Sequence, residues 1–199
     1  MNQKLIIAID GFSSTGKSSL SKIIAQKLHY THVDSGAMYR AITLFALQNA
    51  LIDEQGNIKI EDLNREIPNI RIEFRRNDET HKNETFLNNQ NIENEIRSMQ
   101  VSSNVSAIST LKEVRDYCVH LQREMATQGG IVMDGRDIGT VVFPDADFKF
   151  FITASPEVRA QRRFLEYQQQ GKQVSFDEVF ANVVERDRID SSRDIAPLK

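Results

Sequence analysis

The chain has 199 residues, of which 40% are hydrophobic and 27% charged, and its net charge is −3 at pH 7. This length predicts one domain with a core large enough to need neither disulfides nor a structural metal. The composition excludes a disordered chain, a collagen and a coiled coil, and the charge balance disfavours a pure nucleic-acid binder.

The single cysteine, Cys118, excludes a disulfide framework and a cysteine zinc site, and it fits a cytoplasmic protein. It lies on the apolar side of a predicted helix, which favours a core residue over a nucleophile. No apolar run approaches the ~20 residues of a membrane helix, so we expect no membrane association. The histidines have no metal-ligand spacing and are expected at the surface or in loops: His29, His32, His81 and His120.

The first 50 residues alternate apolar strands with amphipathic helices. Strands are predicted at residues 4–9 and 30–33, and helices at residues 17–28 and 35–49. The inner face of the first helix is predicted to carry four apolar residues, Leu20, Ile23, Ile24 and Leu28.

The pattern then changes to a period of two residues. Ile70, Ile72 and Phe74 alternate with charged residues, a polar stretch follows at 77–83, and residues 85–87 predict a second strand. This is typical of an antiparallel hairpin with one solvated face, which would carry the Arg75-Arg76 pair. Because the hairpin lies between helices, we interpret residues 60–95 as a small inserted lobe.

The second half of the chain returns to strands and helices. Residues 110–113 (TLKE) predict a capping box that opens a helix, and buried strands are predicted at 131–133 and 148–152. Ser155 and Ser175 predict the starts of two further helices. The last helix is expected to turn five apolar residues inward, Phe176, Val179, Phe180, Val183 and Val184. The whole pattern predicts an α/β fold with a mostly parallel sheet.

Residues 11–18 (GFSSTGKS) match the phosphate-loop pattern G-x-x-x-x-G-K-[ST] in full, between a predicted strand and a predicted helix. Backbone N–H groups of such a loop bind phosphate at a helix N-terminus. Lys17 would contact the β and γ phosphates, and Ser18 would ligate Mg²⁺. The motif predicts a nucleoside triphosphate site formed by Gly11, Phe12, Ser13, Ser14, Thr15, Gly16, Lys17, Ser18 and Ser19.

Two segments that contain arginine follow predicted strands, residues 34–40 (DSGAMYR) and 134–140 (DGRDIGT). Ligands of open α/β sheets bind at the carboxyl ends of the strands, so we expect both segments near the phosphate loop. Arg40 and Arg136 suit a phosphorylated acceptor, because guanidinium pairs bidentately with phosphate oxygens. Asp34 and Asp134 could orient waters of a bound Mg²⁺.

The sequence resembles the bacterial cytidylate kinases, which are P-loop nucleoside monophosphate kinases, in the phosphate loop and in four segments, at residues 34–43, 103–115, 134–146 and 185–198. The resemblance implies the P-loop kinase fold and a single kinase domain over residues 1–199. It also implies a CMP-binding lobe at 60–95 and a lid at about 155–175. The implied reaction transfers the γ-phosphoryl group of ATP to CMP or dCMP in a cytoplasmic monomer, with no nucleic-acid partner.

The resemblance assigns an acceptor site to Ser35, Arg40, Ser103, Arg115, Arg136, Asp137, Arg186, Asp190 and Arg193. Arg40 and Arg136 would hold the CMP phosphate. Ser103, Arg115 and Asp137 would recognise cytosine, whose amino group donates and whose N3 and O2 accept. Uracil exchanges donor for acceptor at two positions, so a site built for cytosine would disfavour it by leaving polar groups unpaired.

In the same site, Asp190 would bind the ribose, and Arg186 and Arg193 would bridge phosphate and base. The spacing leaves alternatives open. Asp190 and Arg193 could form a plain i,i+3 ion pair. Arg115 could form a surface pair with a neighbouring carboxylate.

Arg159, Arg162 and Arg163 share one face of a predicted helix, at i, i+3 and i+4. The resemblance places them in the lid, where they would act with Lys17 and Arg136 as catalytic residues that stabilise the transferring phosphoryl group. Without the family pattern, an ordinary solvated helix face is the alternative.

Two competing functions stay open on the sequence. One is another small-molecule P-loop kinase, of the adenylate, thymidylate or shikimate type. The other is a GTP-binding switch, since residues 53–56 (DEQG) match D-x-x-G, although no N-K-x-D motif occurs. The family's sheet has a fifth strand and a last helix beyond residues 196–198, so we expect both elements to be missing here.

Overall fold

The computed structural model describes residues 4–77 and 83–199. The helices are α1 (Lys17–Leu28), α2 (Ser35–Gln48), α3 (Ile60–Glu66), α4 (Met99–Ile108), α5 (Lys112–Met125), α6 (Pro156–Gln169) and α7 (Phe176–Ser192). The strands are β1 (Ile6–Gly11), β2 (Thr31–Asp34), β3 (Ile72–Arg76), β4 (Asn83–Leu87), β5 (Gln90–Asn91), β6 (Ile131–Gly135) and β7 (Phe148–Ile152). His81 and most of the polar stretch predicted at 77–83 lie outside the described residues.

The main sheet has the strand order β2-β6-β1-β7, and β1 pairs in parallel with both of its neighbours. Ile9 lies opposite Asp134 on one side of β1, and Gly11 lies opposite Ile152 on the other. This confirms the prediction of an α/β fold with a parallel sheet. None of the helices in the described ranges is long and apolar enough to cross a membrane.

A small antiparallel sheet, β3-β4-β5, confirms the predicted hairpin, with Ile72 opposite Leu87. The third strand, β5, was not predicted, because two residues are too few to show a period. Helices α3 and α4 were not predicted either. The role of residues 60–95 as a substrate-binding lobe stays a prediction.

The chain divides into two compact units. The first comprises the described residues up to His32 together with Gln128–Lys199, and the second is Val33–Thr127. A small apolar cluster in the first unit contains Ile7, Ile9, Ala25 and Val132. The larger cluster of the second unit includes Met38, Ile42, Leu63, Ile96, Val105, Val114 and Cys118. Cys118 is therefore a core residue, as predicted.

Side-chain caps at two helix starts confirm the sequence signals. Ser155 accepts from the backbone N–H of Val158 at the start of α6, and Ser175 forms a capping box with Glu178 at the start of α7. The capping box predicted at 110–113 is wrong. The N-cap of α5 is Leu111, and the Thr110 hydroxyl instead donates to the Ala107 carbonyl at the end of α4.

The predicted inner face of α1 is wrong at three of its four positions, and the fourth, Ile24, is partly buried and packs against the apolar cluster of the first unit. Lys17, Ser21 and Ala25 are its buried residues. The predicted residues Leu20, Ile23 and Leu28 are exposed. The phosphate loop turns Lys17 inward at the first position of the helix, and residues four and eight positions later share its face.

Strand β7 was predicted to be buried, but Phe148, Phe150 and Phe151 are all exposed. Its place at the end of the sheet order explains the difference, because an edge strand is covered less than a central one. On α7, Val184 is likewise exposed rather than inward, whereas Val179 and Val183 are buried as predicted.

Candidate active site

The phosphate loop connects β1 to α1 in the first unit, and its shape depends on two glycines. Gly11 has φ +143, and a Cβ atom there would lie 2.0 Å from the carbonyl oxygen of Ile152 in β7. Gly16, the N-cap of α1, has φ +93. Both values lie in a region that side chains disfavour, so the motif's glycines are required by the backbone.

We expect Gly11→Ala to lower the free energy of unfolding by about 3 kcal/mol or more, because backbone strain is added to a clash with a strand. Urea denaturation measures the loss. Gly171→Ala is the matched control, since Gly171 also has a positive φ, of +70, but a Cβ there would meet nothing within 4 Å. Equal losses in the two variants would contradict the assignment of the effect to the clash.

Lys17 is buried, and its Nζ donates to the carbonyl oxygen of Phe12 and, at 3.4 Å, to Thr15 Oγ1. Thr15 Oγ1 in turn donates to the same carbonyl at 3.0 Å. The Lys17 ammonium group is therefore held at the loop itself. This is the position from which a lysine can reach the phosphates of a nucleotide bound there.

Ser18 Oγ donates to Asp134 Oδ2 at 2.6 Å, and the other oxygen of Asp134 lies 2.7 Å from His32 Nε2. The prediction of a surface position is wrong for His32, whose side chain is only 10% exposed. No local pattern predicts this contact, because the two residues are 102 positions apart.

The oxygen atoms of Ser18 and Asp134 fit Mg²⁺, which binds through one or two protein oxygens together with phosphate oxygens and water. Across residues 4–77 and 83–199, no group of three or more His, Cys, Asp or Glu side chains could hold a metal. A nucleotide-assisted Mg²⁺ site with Ser18 as ligand is compatible with both observations.

The three arginines of α6 all contact the phosphate loop. Arg162 Nη1 donates to the carbonyl oxygen of Thr15 at 3.1 Å, and Arg163 Nε donates to Ser14 Oγ at 2.9 Å. Arg159 Nη1 lies 3.4 Å from the carbonyl oxygen of Ser13. The alternative of a solvated helix face is therefore excluded for Arg159, which is 2% exposed.

A second group of charged residues lies in the same unit, after β6 and on α7. Arg136 Nε donates to Asp190 Oδ2 at 2.8 Å, and Arg193 Nη2 lies 3.7 Å from Asp137 Oδ1. Arg186 is also buried and interacts electrostatically with Arg136 and Asp190. We call these five residues the arginine cluster: Arg136, Asp137, Arg186, Asp190 and Arg193.

Positive charge exceeds negative charge in the arginine cluster, by three guanidinium groups to two carboxylates. Burial alone would raise the pKa of Asp190, but the guanidinium groups of Arg136 and Arg186 hold it below its ordinary value. Burial and the charge of Arg136 lower the pKa of Arg186 to about 9. The four buried members of the cluster balance in charge, and the excess guanidinium is that of Arg136, whose side chain is 18% exposed and can pair with an anionic ligand.

Asp10 is a functional candidate that no motif in the sequence indicates. It is the next-to-last residue of β1, directly before Gly11 of the phosphate loop, and its two carboxylate oxygens accept from the N–H groups of Ile138 and Gly139 at 2.8 and 2.7 Å. These N–H groups open the π-helical turn Ile138–Val142. Burial raises the pKa of Asp10. The carboxyl thus connects the start of the loop to the segment that carries Arg136 and Asp137.

The second unit holds the other residues predicted for the acceptor. Ser35 is buried at the start of α2, and Arg40 Nη1 donates to the carbonyl oxygen of Ile96 at 3.0 Å. Arg115 is 2% exposed, which excludes the surface ion pair considered above. Its Nη1 donates to the Ser109 carbonyl oxygen at 3.3 Å. Ser103 is exposed on α4.

Comparison with known proteins gives one family. The family model described as cytidylate kinase matches residues 7–199. A cytidylate kinase of Phocaeicola vulgatus is 52% identical over 197 residues, which are 99% of this chain and 86% of the relative. The chain belongs to the cytidylate kinase family.

Other cytidylate kinases are similar to this chain to the same degree. One from Flavobacterium johnsoniae is 53% identical over 98% of this chain and 85% of its own length. One from Porphyromonas gingivalis is 51% identical over 100% of this chain and 86% of its own length. The region matched by the cytidylate kinase model contains every residue predicted for the phosphate loop and the acceptor site.

Proposed function

We propose that the chain transfers the γ-phosphoryl group of ATP to CMP or dCMP, giving ADP and CDP or dCDP. The observation that carries the proposal is the arginine cluster, in which three guanidinium groups face two carboxylates, in the same unit as a phosphate loop and in a member of the cytidylate kinase family. A triphosphate and an acceptor phosphate are the two anions that these two sites suit.

The proposed roles of the site residues are those that the family resemblance implies. Residues 11–19 bind the triphosphate, with Lys17 at its β and γ phosphates. Arg136 binds the acceptor phosphate, while Asp137, Arg186, Asp190 and Arg193 serve the base, the ribose and the bridge between base and phosphate. The second unit is proposed to contribute Ser35, Arg40, Ser103 and Arg115 to CMP binding.

Catalysis on this proposal consists of positioning and charge stabilisation, because an acceptor phosphate is already ionised and needs no general base. Arg162 and Arg163 stabilise the charge of the transferring group. Ser18 holds Mg²⁺, which neutralises phosphate charge when bound. A monomeric state, a cytoplasmic location and the lack of a nucleic-acid partner stay predictions.

An ADP-release assay over CMP, dCMP, UMP and AMP tests the function. We expect kcat/KM for CMP or dCMP to exceed that for UMP and AMP by more than about tenfold, because a cytosine site leaves polar groups unpaired with other bases. A preference for AMP or dTMP would favour another monophosphate kinase. Tight GTP binding with slow turnover and no acceptor would favour a switch protein.

A further inference from the structure

Arg159 differs from the other two arginines of α6 in how completely protein groups surround it. Its Nε donates to the carbonyl oxygen of Ala154 at 2.8 Å. Its two terminal nitrogens pair with the two carboxylate oxygens of Asp187 at 2.9 and 2.5 Å. With 2% of its surface exposed, the side chain is held on several sides by protein.

The same guanidinium group also contacts the phosphate loop. Its Cζ lies 5.0 Å from the centre of the Phe12 ring, a cation–π distance, and Nη1 lies 3.4 Å from the carbonyl oxygen of Ser13. Both residues directly follow Gly11, so these contacts fix the first part of the loop. Asp187 on α7 therefore connects to the loop through one buried side chain.

We propose that Asp187 is a positioning residue for the phosphate loop and acts through Arg159, which holds the loop in shape rather than contacting the transferring phosphoryl group. The inference rests on the proposed function and refines the role of Arg159 within it. A bidentate pair fixes the plane of the guanidinium group, and that plane determines where Phe12 and Ser13 lie. Loop N–H groups bind phosphate well only when they are already oriented.

The test compares ligand binding in four variants with the wild type, by calorimetry with ADP and separately with CMP. We expect Asp187→Asn and Arg159→Met each to weaken ADP binding by about tenfold or more, with CMP binding within about twofold. The double variant should bind ADP no more weakly than Arg159→Met alone, because the two residues act as one unit. Glu185→Gln, an exposed residue of α7 paired with Arg188, should match the wild type.

Kinetic measurements separate positioning from direct catalysis. If Arg159 contacted the phosphoryl group only during transfer, Arg159→Met would lower kcat and leave the dissociation constant for ADP unchanged, and this result would overturn the proposal. The proposal would also be overturned if the two substitutions weakened ADP binding additively in the double variant, or if they weakened ADP and CMP binding equally. Because ADP binding needs no acceptor, the result is independent of which monophosphate the enzyme uses.

Thermal melting identifies any variant that fails to fold. In that case Asp187→Glu and Arg159→Lys, which keep both charges and change only the geometry, take its place in the same comparison. Weaker ADP binding with unchanged CMP binding then supports the proposal, and unchanged ADP binding contradicts it.

Discussion

Replacing Lys17 by alanine is expected to lower kcat by about 10²- to 10³-fold while the chain stays folded, because an oriented cation at the transferring group is lost. The side chain is buried against the loop, where Nζ donates to the Phe12 carbonyl and to Thr15 Oγ1. Steady-state turnover with ATP and CMP measures the loss, and circular dichroism verifies the fold.

Lys22→Ala is the matched control for this variant, since Lys22 is an exposed lysine of the same helix, α1. It should keep wild-type turnover. If Lys17→Ala also stayed near wild-type activity, residues 11–19 would not be the phosphate-binding loop.

Replacing Arg136 by methionine is expected to raise the KM for CMP by about 10- to 100-fold, the range for losing a charged hydrogen bond. ADP binding should change by less than about threefold, since Arg136 pairs with Asp190 on α7. Calorimetry with each nucleotide separates the two effects. Arg188→Met, on the exposed side of α7, is the control.

The fold of the Arg136→Met variant should be more sensitive to acid than that of the wild type. Arg136 helps to hold the pKa of Asp190 below its ordinary value, so the charged Asp190 stabilises the fold above its unfolded pKa. That contribution is lost as the pH falls through the folded pKa. Because Arg136→Met raises the folded pKa, acid unfolding should begin at a higher pH than in the wild type. Equal CMP and ADP losses, with no acid shift, would contradict the assigned role of Arg136.

The strands and helices of the first unit could be predicted because their signals are local. β1 and β6 are short apolar runs, and residues 11–18 match a motif between a strand and a helix. Burial could not be predicted in the same way. Whether Phe148 or Ile23 is covered depends on the strand order of the sheet and on how the loop orients α1, and neither is encoded in a window of ten residues.

In the site, too, residues in local motifs could be predicted, whereas contacts between distant residues could not. Arg136 and Lys17 lie in motifs and could be named from the sequence. Asp187 lies within a recognised segment, yet its partner Arg159 is 28 positions away, and Asp10 is 128 positions from the N–H of Ile138 that it accepts from. No periodicity connects such residues. A carboxylate at the end of a buried strand, directly before a phosphate loop, is the one sequence signal that could have identified Asp10.

The contacts of α7 have a consequence for redesign of the nucleobase preference. Arg186 and Asp190, one helical turn apart, belong to the arginine cluster, while Asp187 pairs with Arg159. On the proposed function, a change that rotates or shifts α7 to admit a larger base would also disturb the contacts of Arg159 with Phe12 and Ser13 of the phosphate loop. Engineering should therefore keep α7 fixed and vary the acceptor-side residues of other segments. Tolerance to substitution along α7 should be uneven. We expect it to be high at Glu185 and Arg188, and low at Arg186, Asp187 and Asp190.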